Sequence, residues 1–156
     1  MEFISNSLKD TDLIAKKLAF KIKKNLENNI INYIIFLDGD LGAGKTTFTR
    51  SLVKYLGSSD NVCSPTFALV NQYKSFVDIF HFDMYRIENP DDLYSIGFFD
   101  YINNNNILII EWGKNIIEFL AEDIKNIINI NLEYIDNNSR KIMIDLDLDG
   151  DGDDNF

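Results

Sequence analysis

One short stretch constrains the fold of this chain more than any other: Gly39-Asp40-Leu41-Gly42-Ala43-Gly44-Lys45-Thr46-Thr47. It fits the pattern G-x-x-x-x-G-K-[ST], a loop whose glycines let successive backbone N–H groups point at phosphate oxygens. The pattern has this meaning only between a buried strand and a helix. Residues 32–37 are largely apolar, and residues 46–56 have helical character and stop at Gly57, a residue typical of helix ends. The sequence therefore predicts a strand, a phosphate-binding loop and a helix in direct succession.

The residues of this loop indicate the ligand. Lys45 is predicted to reach the β- and γ-phosphates of a nucleoside triphosphate, and the hydroxyl of Thr46 is predicted to ligate Mg²⁺. The chain has no N-K-x-D motif for reading guanine, which favours ATP over GTP. The loop residues predicted to bind ATP are Asp40, Leu41, Gly42, Ala43, Gly44, Lys45, Thr46 and Thr47.

Hydrophobic periodicity predicts the other helices and strands. Ser7 and Asp10 have the spacing of a capping box and open a helix that runs to about Leu26, whereas Pro90 opens a helix that runs to about Ile96. Further strands are predicted at residues 76–82, 107–110, 126–135 and 141–148, and an apolar strand follows a Ser-Pro turn within residues 64–70. The last two strands are predicted to pair as a hairpin, as are the two that follow the loop helix. The predicted fold class is α/β, a P-loop NTPase-like three-layer sandwich with a mixed parallel/antiparallel sheet.

Two carboxylates stand where predicted strands end, Asp83 and Glu111. Ligands of an open α/β sheet lie outside the carboxyl ends of the strands, so both side chains are expected to face the γ-phosphate. We assign Lys45, Asp83 and Glu111 as catalytic residues, and Thr46, Glu111 and Asp83 as ligands of Mg²⁺, directly or through water. Which carboxylate holds the metal and which orients the attacking water stays open. His81, the sole histidine, is interpreted as a structural residue.

The composition favours a single cytoplasmic domain. The chain has 156 residues, of which 46% are hydrophobic. Its net charge is −10, and six of the 25 acidic residues lie in the last twelve positions, which leaves 15 basic against 19 acidic residues before them. This balance argues against broad, sequence-independent binding of nucleic acid. The lysines of the first helix are more typical of a solvated face than of an RNA-binding patch. One cysteine, no apolar signal segment and no apolar run of membrane-spanning length predict a cytoplasmic protein without membrane contact. We expect residues 1–148 to form one P-loop ATPase domain and residues 149–156 to form an acidic, disordered tail.

Several blocks of the sequence, taken in order, resemble the TsaE family, the small P-loop ATPases of bacterial tRNA threonylcarbamoyladenosine biosynthesis. The blocks are the phosphate-binding loop, Ser64-Pro65-Thr66-Phe67 with Leu69-Val70, His81-Phe82-Asp83-x-Tyr85-Arg86, Gly97, and Ile109-Ile110-Glu111-Trp112. The resemblance covers nearly the whole domain. It departs at Gly113, where the family commonly has proline.

The resemblance implies a cytoplasmic ATPase that uses ATP and Mg²⁺ and works with the TsaD and TsaB proteins. We expect the isolated chain to be slow, because rapid hydrolysis usually requires a cation against the transferring phosphoryl group, which a partner would complete. Contact with tRNA is then indirect, through that complex. The resemblance also implies that Thr11 and Arg140 belong to the ATP site. The predicted switch or partner loops contain Ser64, Pro65, Thr66, Tyr85, Arg86 and Trp112.

Two other functions stay open at this point. A small-molecule kinase of the P-loop class would usually have a lid with several arginines, whereas this chain has only Arg50, Arg86 and Arg140. A nucleotide-gated binding module would bind the triphosphate and hydrolyse it hardly at all. Phosphate release with and without an acceptor separates these functions from an ATPase.

Overall fold

The computed structural model describes residues 1–27, 32–102, 105–120 and 126–147. The predicted tail at residues 149–156 and the predicted end of the last strand at Leu148 lie outside the described residues. No helix in the described ranges is long and apolar enough to cross a membrane. The α-helices and strands, in chain order, are β1 (Glu2–Ser5), α1 (Leu8–Glu27), β2 (Tyr33–Gly39), α2 (Lys45–Leu56), β3 (Val70–Tyr73), β4 (Asp78–Asp83), α3 (Pro90–Ser95), α4 (Phe98–Ile102), β5 (Asn106–Glu111), β6 (Ile127–Tyr134) and β7 (Arg140–Asp147). Two short 3-10 helices, Gly113–Asn115 and Ile117–Phe119, follow β5.

The strands of the described residues form one seven-stranded sheet in the order β1-β7-β6-β2-β5-β4-β3. β2 lies in the middle, parallel to β5 on one side and to β6 on the other, and β4 is parallel to β5. Antiparallel pairing completes both edges, through β3 with β4, and through β6, β7 and β1. The predicted hairpin of β6 and β7 is present, and the hairpin after α2 forms with β3 in place of the predicted strand within residues 64–70. The predicted α/β fold with a mixed sheet is confirmed.

Helices cover the two faces of the sheet. α1 and α2 pack on one face, where Leu18 and Leu52 join Ile35 of β2 in a buried cluster. α3 and α4 lie against the other face, where Phe98 joins Phe36 of β2 in a second cluster. Successive side chains of a strand point to opposite faces, so both faces of β2 are buried. The result is the predicted sandwich of three layers.

The helix ends follow the local sequence. At the start of α1, the Ser7 hydroxyl oxygen accepts a hydrogen bond from the Asp10 backbone N–H at 3.2 Å. The Asp10 carboxylate accepts in return from the N–H of Asn6 at 3.0 Å, one residue earlier than in a standard capping box. Gly57 ends α2 in the left-handed conformation, and Asn89 caps α3 through a complete capping box. The predicted helix starts and stops are therefore confirmed to within a residue.

The predicted apolar strand within residues 64–70 is wrong over most of its length. The carbonyl of Pro65 accepts hydrogen bonds from the N–H groups of Ala68 and Leu69, which folds this segment into a turn. The ring of Phe67 is 96% exposed. β3 begins only at Val70, because the apolar side chains before it are not part of the core.

One close approach in this fold can be tested by mutation. Gly113 follows β5 at a point where an added Cβ atom would overlap the ring of Phe36. Gly113→Ala is expected to lower the free energy of unfolding by about 1–3 kcal/mol, because the ring must move to make room. Urea denaturation of the isolated protein measures this loss.

The double variant with Phe36→Leu is the control for that measurement. Leucine is smaller than phenylalanine, so the two substitutions together should cost less than the sum of their separate costs. Strictly additive losses would show that Phe36 is not the obstacle to a side chain at Gly113.

Candidate functional site

The predicted phosphate-binding loop connects β2 to α2. Gly44 is the residue before the first turn of α2 and has φ 107°, a left-handed conformation that glycine adopts without strain. The free N–H groups at the start of α2, together with the helix dipole, favour an anion at this position. The loop thus has both the sequence and the surroundings of a phosphate site.

Lys45 is almost fully buried within this loop, with 7% exposure. Its ammonium group donates to the carbonyl oxygens of Gly39 at 2.6 Å and Asp40 at 3.2 Å. The same nitrogen lies 4.5 Å from the ring centroid of Trp112, within the range of a cation–π interaction. The indole packs edge-on against Tyr85 at 5.4 Å. Lys45 therefore connects the phosphate loop to the residues that follow β4 and β5.

The two predicted carboxylates come together at the ends of β4 and β5. Asp83 and Glu111 are direct partners in the parallel register, and they are only 7% and 4% exposed. Glu111 is also opposite Leu37 of β2, the strand that leads into the phosphate loop. Both carboxylates share a sheet face with the residues that pack under α1 and α2. This is the face on which the phosphate loop and α2 lie.

Hydrogen bonds hold both carboxylates. The Asp83 carboxylate accepts from the backbone N–H of Tyr85 at 3.0 Å. Glu111 Oε1 lies 2.9 Å from Nε2 of His81, whose side chain is fully buried, and Nδ1 of that ring is 3.4 Å from the hydroxyl of Tyr73. Both ring nitrogens of His81 thus have partners. The sequence did not indicate that one partner is Glu111. The available signal was the spacing of His81 and Asp83, two residues apart on one strand and so on one face.

Asp38, by contrast, lies apart from these carboxylates. It follows Leu37 in β2 and points to the opposite face of the sheet, where Lys114 Nζ lies 3.7 Å from its carboxylate. Burial raises the pKa of Asp38, and the charge of Lys114 partly opposes that shift. This geometry is that of an ordinary acid at a strand end.

A cavity of about 730 Å³ flanks one side of the phosphate loop. Thr11 and Arg140, which were predicted from the resemblance to belong to the ATP site, both line it, together with Gly42, Ala43, Gly44 and Thr47. The guanidinium of Arg140 donates to the carbonyl of Ala43 at 2.9 Å and stacks on Tyr134 at 4.7 Å. The hydroxyl of Thr11 is bonded to that of Ser5 at 2.7 Å. The start of α1 and the β6–β7 hairpin therefore meet at the loop.

A second cavity, of about 420 Å³, lies on the carboxylate side. It brings the predicted switch or partner residues together with the tip of the phosphate loop. Its lining consists of Leu41, Thr66, Phe67, Leu69, Asp83, Tyr85, Arg86 and Trp112. Ser64 is adjacent, with its hydroxyl 2.7 Å from that of Thr66, and Pro65 between them is buried. Arg86 is exposed, and no ion pair joins it to a carboxylate of the described residues.

The fold and this site define a P-loop-type α/β protein: a phosphate loop follows the central strand, and two buried carboxylates end the neighbouring parallel strands. The family model described as threonylcarbamoyl adenosine biosynthesis protein TsaE matches residues 5–142. The chain belongs to the TsaE family, and so to a family of tRNA threonylcarbamoyladenosine biosynthesis.

Individual relatives agree with this assignment. The chain is 41% identical over 137 residues to the tRNA threonylcarbamoyladenosine biosynthesis protein TsaE of Rickettsia prowazekii, a match covering 86% of this chain and 88% of that protein. It is 42% identical over 105 residues to TsaE of Haemophilus influenzae, covering 66% of this chain and 64% of that protein. The crystal structure of Bacillus subtilis YdiB superposes with a TM-score of 0.68 at 24% identity, covering 94% of this chain and 85% of that one. At that identity the superposition supports the fold alone.

The contact between Lys45 and Trp112 predicts a spectroscopic change. Trp112 is the sole tryptophan and is partly exposed. Lys45→Met removes the ammonium from the ring and keeps most of the stem. We expect the emission spectrum of the isolated chain to shift, because a nearby charge perturbs the excited indole.

Lys54→Met is the matched control, since Lys54 also lies on α2 but its ammonium lies over Tyr55, at 4.9 Å. This variant should leave the tryptophan emission unchanged. Adding ATP with Mg²⁺ to the wild type should also change the emission, and Lys45→Met should reduce that response. Identical spectra for the wild type and Lys45→Met would contradict the contact.

Proposed function

We propose that this chain binds ATP with Mg²⁺ and hydrolyses it in support of threonylcarbamoyladenosine modification of tRNA, acting together with the TsaD and TsaB proteins. The observation that carries the proposal is the in-register pair of buried carboxylates, Asp83 and Glu111, on the sheet face that carries the phosphate loop. Membership of the TsaE family supports the pathway.

The binding roles follow from the donors around the loop. The N–H groups at the start of α2 and the ammonium of Lys45 supply positive potential for the β- and γ-phosphates. The nucleoside then occupies the cavity that Thr11 and Arg140 line. Arg140 already donates to the loop carbonyl of Ala43, so its role includes holding the loop in shape.

The donor set on the carboxylate side fits magnesium. Mg²⁺ in phosphate-transfer sites binds oxygen ligands, usually one or two carboxylates together with water and the substrate phosphates. The hydroxyl of Thr46 and the carboxylates of Asp83 and Glu111 would hold it, directly or through water. Mg²⁺ would neutralise charge that develops on the transferring phosphoryl group. One of the two carboxylates is then available to orient the attacking water.

Charge removal at the two carboxylates tests this proposal. Asp83→Asn and Glu111→Gln keep the side-chain shape but remove a charge, so turnover of ATP should fall by roughly 10²-fold or more while nucleotide affinity changes little. Steady-state phosphate release and calorimetric binding of a non-hydrolysable ATP analogue separate the two effects.

Asp78→Asn is the matched control, because Asp78 lies on β4 as Asp83 does but pairs with Lys74 on the surface. Its turnover should equal that of the wild type. Near wild-type turnover in both Asp83→Asn and Glu111→Gln would show that these carboxylates do not serve ATP hydrolysis.

Partner proteins are expected to complete the site. Rapid hydrolysis usually needs a cation against the transferring phosphoryl group, an effect worth about 10³ to 10⁵ in rate. Arg86 is exposed beside the cavity that contains Asp83, where a partner surface can direct it. The isolated chain should therefore hydrolyse ATP slowly, and the TsaB–TsaD complex should accelerate it at least about tenfold.

Phosphate release with and without the complex measures this acceleration. Arg86→Ala should lose most of it, whereas Lys24→Ala, which removes an exposed cation from α1, should retain it. Fast turnover by the isolated wild type, unaffected by the complex, would contradict a partner-completed site.

A further inference from the structure

A buried line of hydrogen-bonding groups runs from Glu111 across the sheet to the loop that precedes β3. Glu111 Oε1 is 2.9 Å from Nε2 of His81, and Nδ1 of His81 is 3.4 Å from the hydroxyl of Tyr73. That hydroxyl is in turn 3.2 Å from the carbonyl oxygen of Cys63. His81 is fully buried and Tyr73 is 2% exposed. Cys63 is the residue directly before Ser64, so the line ends at a predicted switch loop.

The chemistry of the groups sets the direction of the bond to Glu111. An ionised carboxylate only accepts hydrogen bonds, so Nε2 of His81 is the donor to it. The Tyr73 hydroxyl donates its single proton to the carbonyl of Cys63 or to Nδ1 of His81, and its oxygen accepts from Nδ1 when that nitrogen carries a proton. Burial raises the pKa of Tyr73, which keeps the hydroxyl proton in place. The carbonyl of Cys63 also accepts from the side-chain amide of Asn71 at 3.2 Å.

The sheet register explains why these groups meet. His81 and Asp83 project from the same face of β4, and Asp83 is the direct partner of Glu111 on β5. β3 pairs with β4 on the side away from β5 and places Tyr73 opposite Ile79. Ile79 is two residues before His81 and so lies on the same face of β4. The line of contacts therefore crosses three neighbouring strands, which are rigid elements, and reaches a loop only at its end.

We infer that His81 is a positioning residue for Glu111, and that Tyr73 links this pair to the backbone of the loop at residues 63–66. The orientation of the Glu111 carboxylate and the position of that loop are thereby coupled. The functional part of this inference rests on the proposed ATPase role of Glu111.

An imidazole is well suited to this task. Its ring is planar and, with partners on both nitrogens, has one orientation, so it fixes the carboxylate more firmly than a mobile donor would. Mutating a residue that hydrogen-bonds to a metal-ligating side chain commonly lowers metal affinity or activity by about 10- to 100-fold. A purely structural histidine would instead affect folding stability without a selective effect on turnover.

Nuclear magnetic resonance tests the contact itself, independently of any ATPase activity. Since His81 is the sole histidine, its ring nitrogens give unambiguous signals in ¹⁵N-labelled protein. Nε2 should carry a proton, and Glu111→Gln should shift the Nε2 signals. Tyr73→Phe should shift the Nδ1 signal, whereas Tyr94→Phe, a change at an exposed ring on α3, should leave both unchanged. An unprotonated Nε2, or signals insensitive to Glu111→Gln, would overturn the inference.

Kinetics tests the positioning role. His81→Leu removes the donor, so kcat for ATP hydrolysis should fall by roughly 10- to 100-fold with KM for ATP little changed. His81→Gln places an amide N–H near the former Nε2 and should recover most of kcat. In a Glu111→Gln background, His81→Leu should cost almost nothing further, because its effect acts through that carboxylate. Equal losses in His81→Leu and His81→Gln, or full additivity with Glu111→Gln, would contradict positioning.

Loss of folding, loss of the ATPase function and loss of the positioning role can be told apart. Circular dichroism shows whether each variant is folded. If His81→Leu is not folded, the kinetic comparison uses His81→Gln and Tyr73→Phe instead. In that comparison Tyr73→Phe should lower kcat, whereas His81→Gln should retain it. Absence of phosphate release from the wild type would refute the proposed ATPase function and with it the catalytic part of the inference. The resonance experiment still decides whether His81 holds Glu111.

Discussion

The site depends on the parallel register that places β5 between β2 and β4. Glu111 faces Leu37 on one side and Asp83 on the other, where β4 and β5 end and β2 has two residues left. This pairing brings the loop after β2 and both carboxylates to one edge of the sheet. A slip of one residue would turn Glu111 to the opposite face, away from α2. The fully buried β5 makes that slip costly, since every position of the strand is part of the core.

Burying charged groups so close together requires partners for each of them, because an unpaired buried charge is strongly unfavourable. Lys45 has loop carbonyls and the face of Trp112, Asp83 has a backbone N–H, and Glu111 has His81. Trp112 lies in a left-handed conformation with φ 61°, which for a large side chain costs on the order of 1–3 kcal/mol. Packing against Lys45 and Tyr85 offsets that strain and holds the indole beside the loop.

Local signals in the sequence were sufficient to predict the strand, loop and helix in succession around residues 39–47, the end of α2 at Gly57 and the position of Glu111 at a strand end. Each depends on residues adjacent in the chain, such as a glycine that accepts a left-handed conformation. The bond between His81 and Glu111 could not be predicted in this way, because it joins two strands whose adjacency depends on the whole sheet order. The sequence also predicts a strand around Phe67, because an apolar run alone does not separate a core strand from an exposed apolar turn.

Side chains contact the phosphate loop from two sides, and a different cavity lies on each side. On one side Arg140, at the start of β7, donates a hydrogen bond to the carbonyl of Ala43, beside the cavity that Thr11 also lines. On the other side Lys45 contacts Trp112 beside the smaller, largely apolar cavity. These two contacts lie next to each other in the chain, because only Gly44 separates Ala43 from Lys45. Both cavities therefore border the same short segment of backbone.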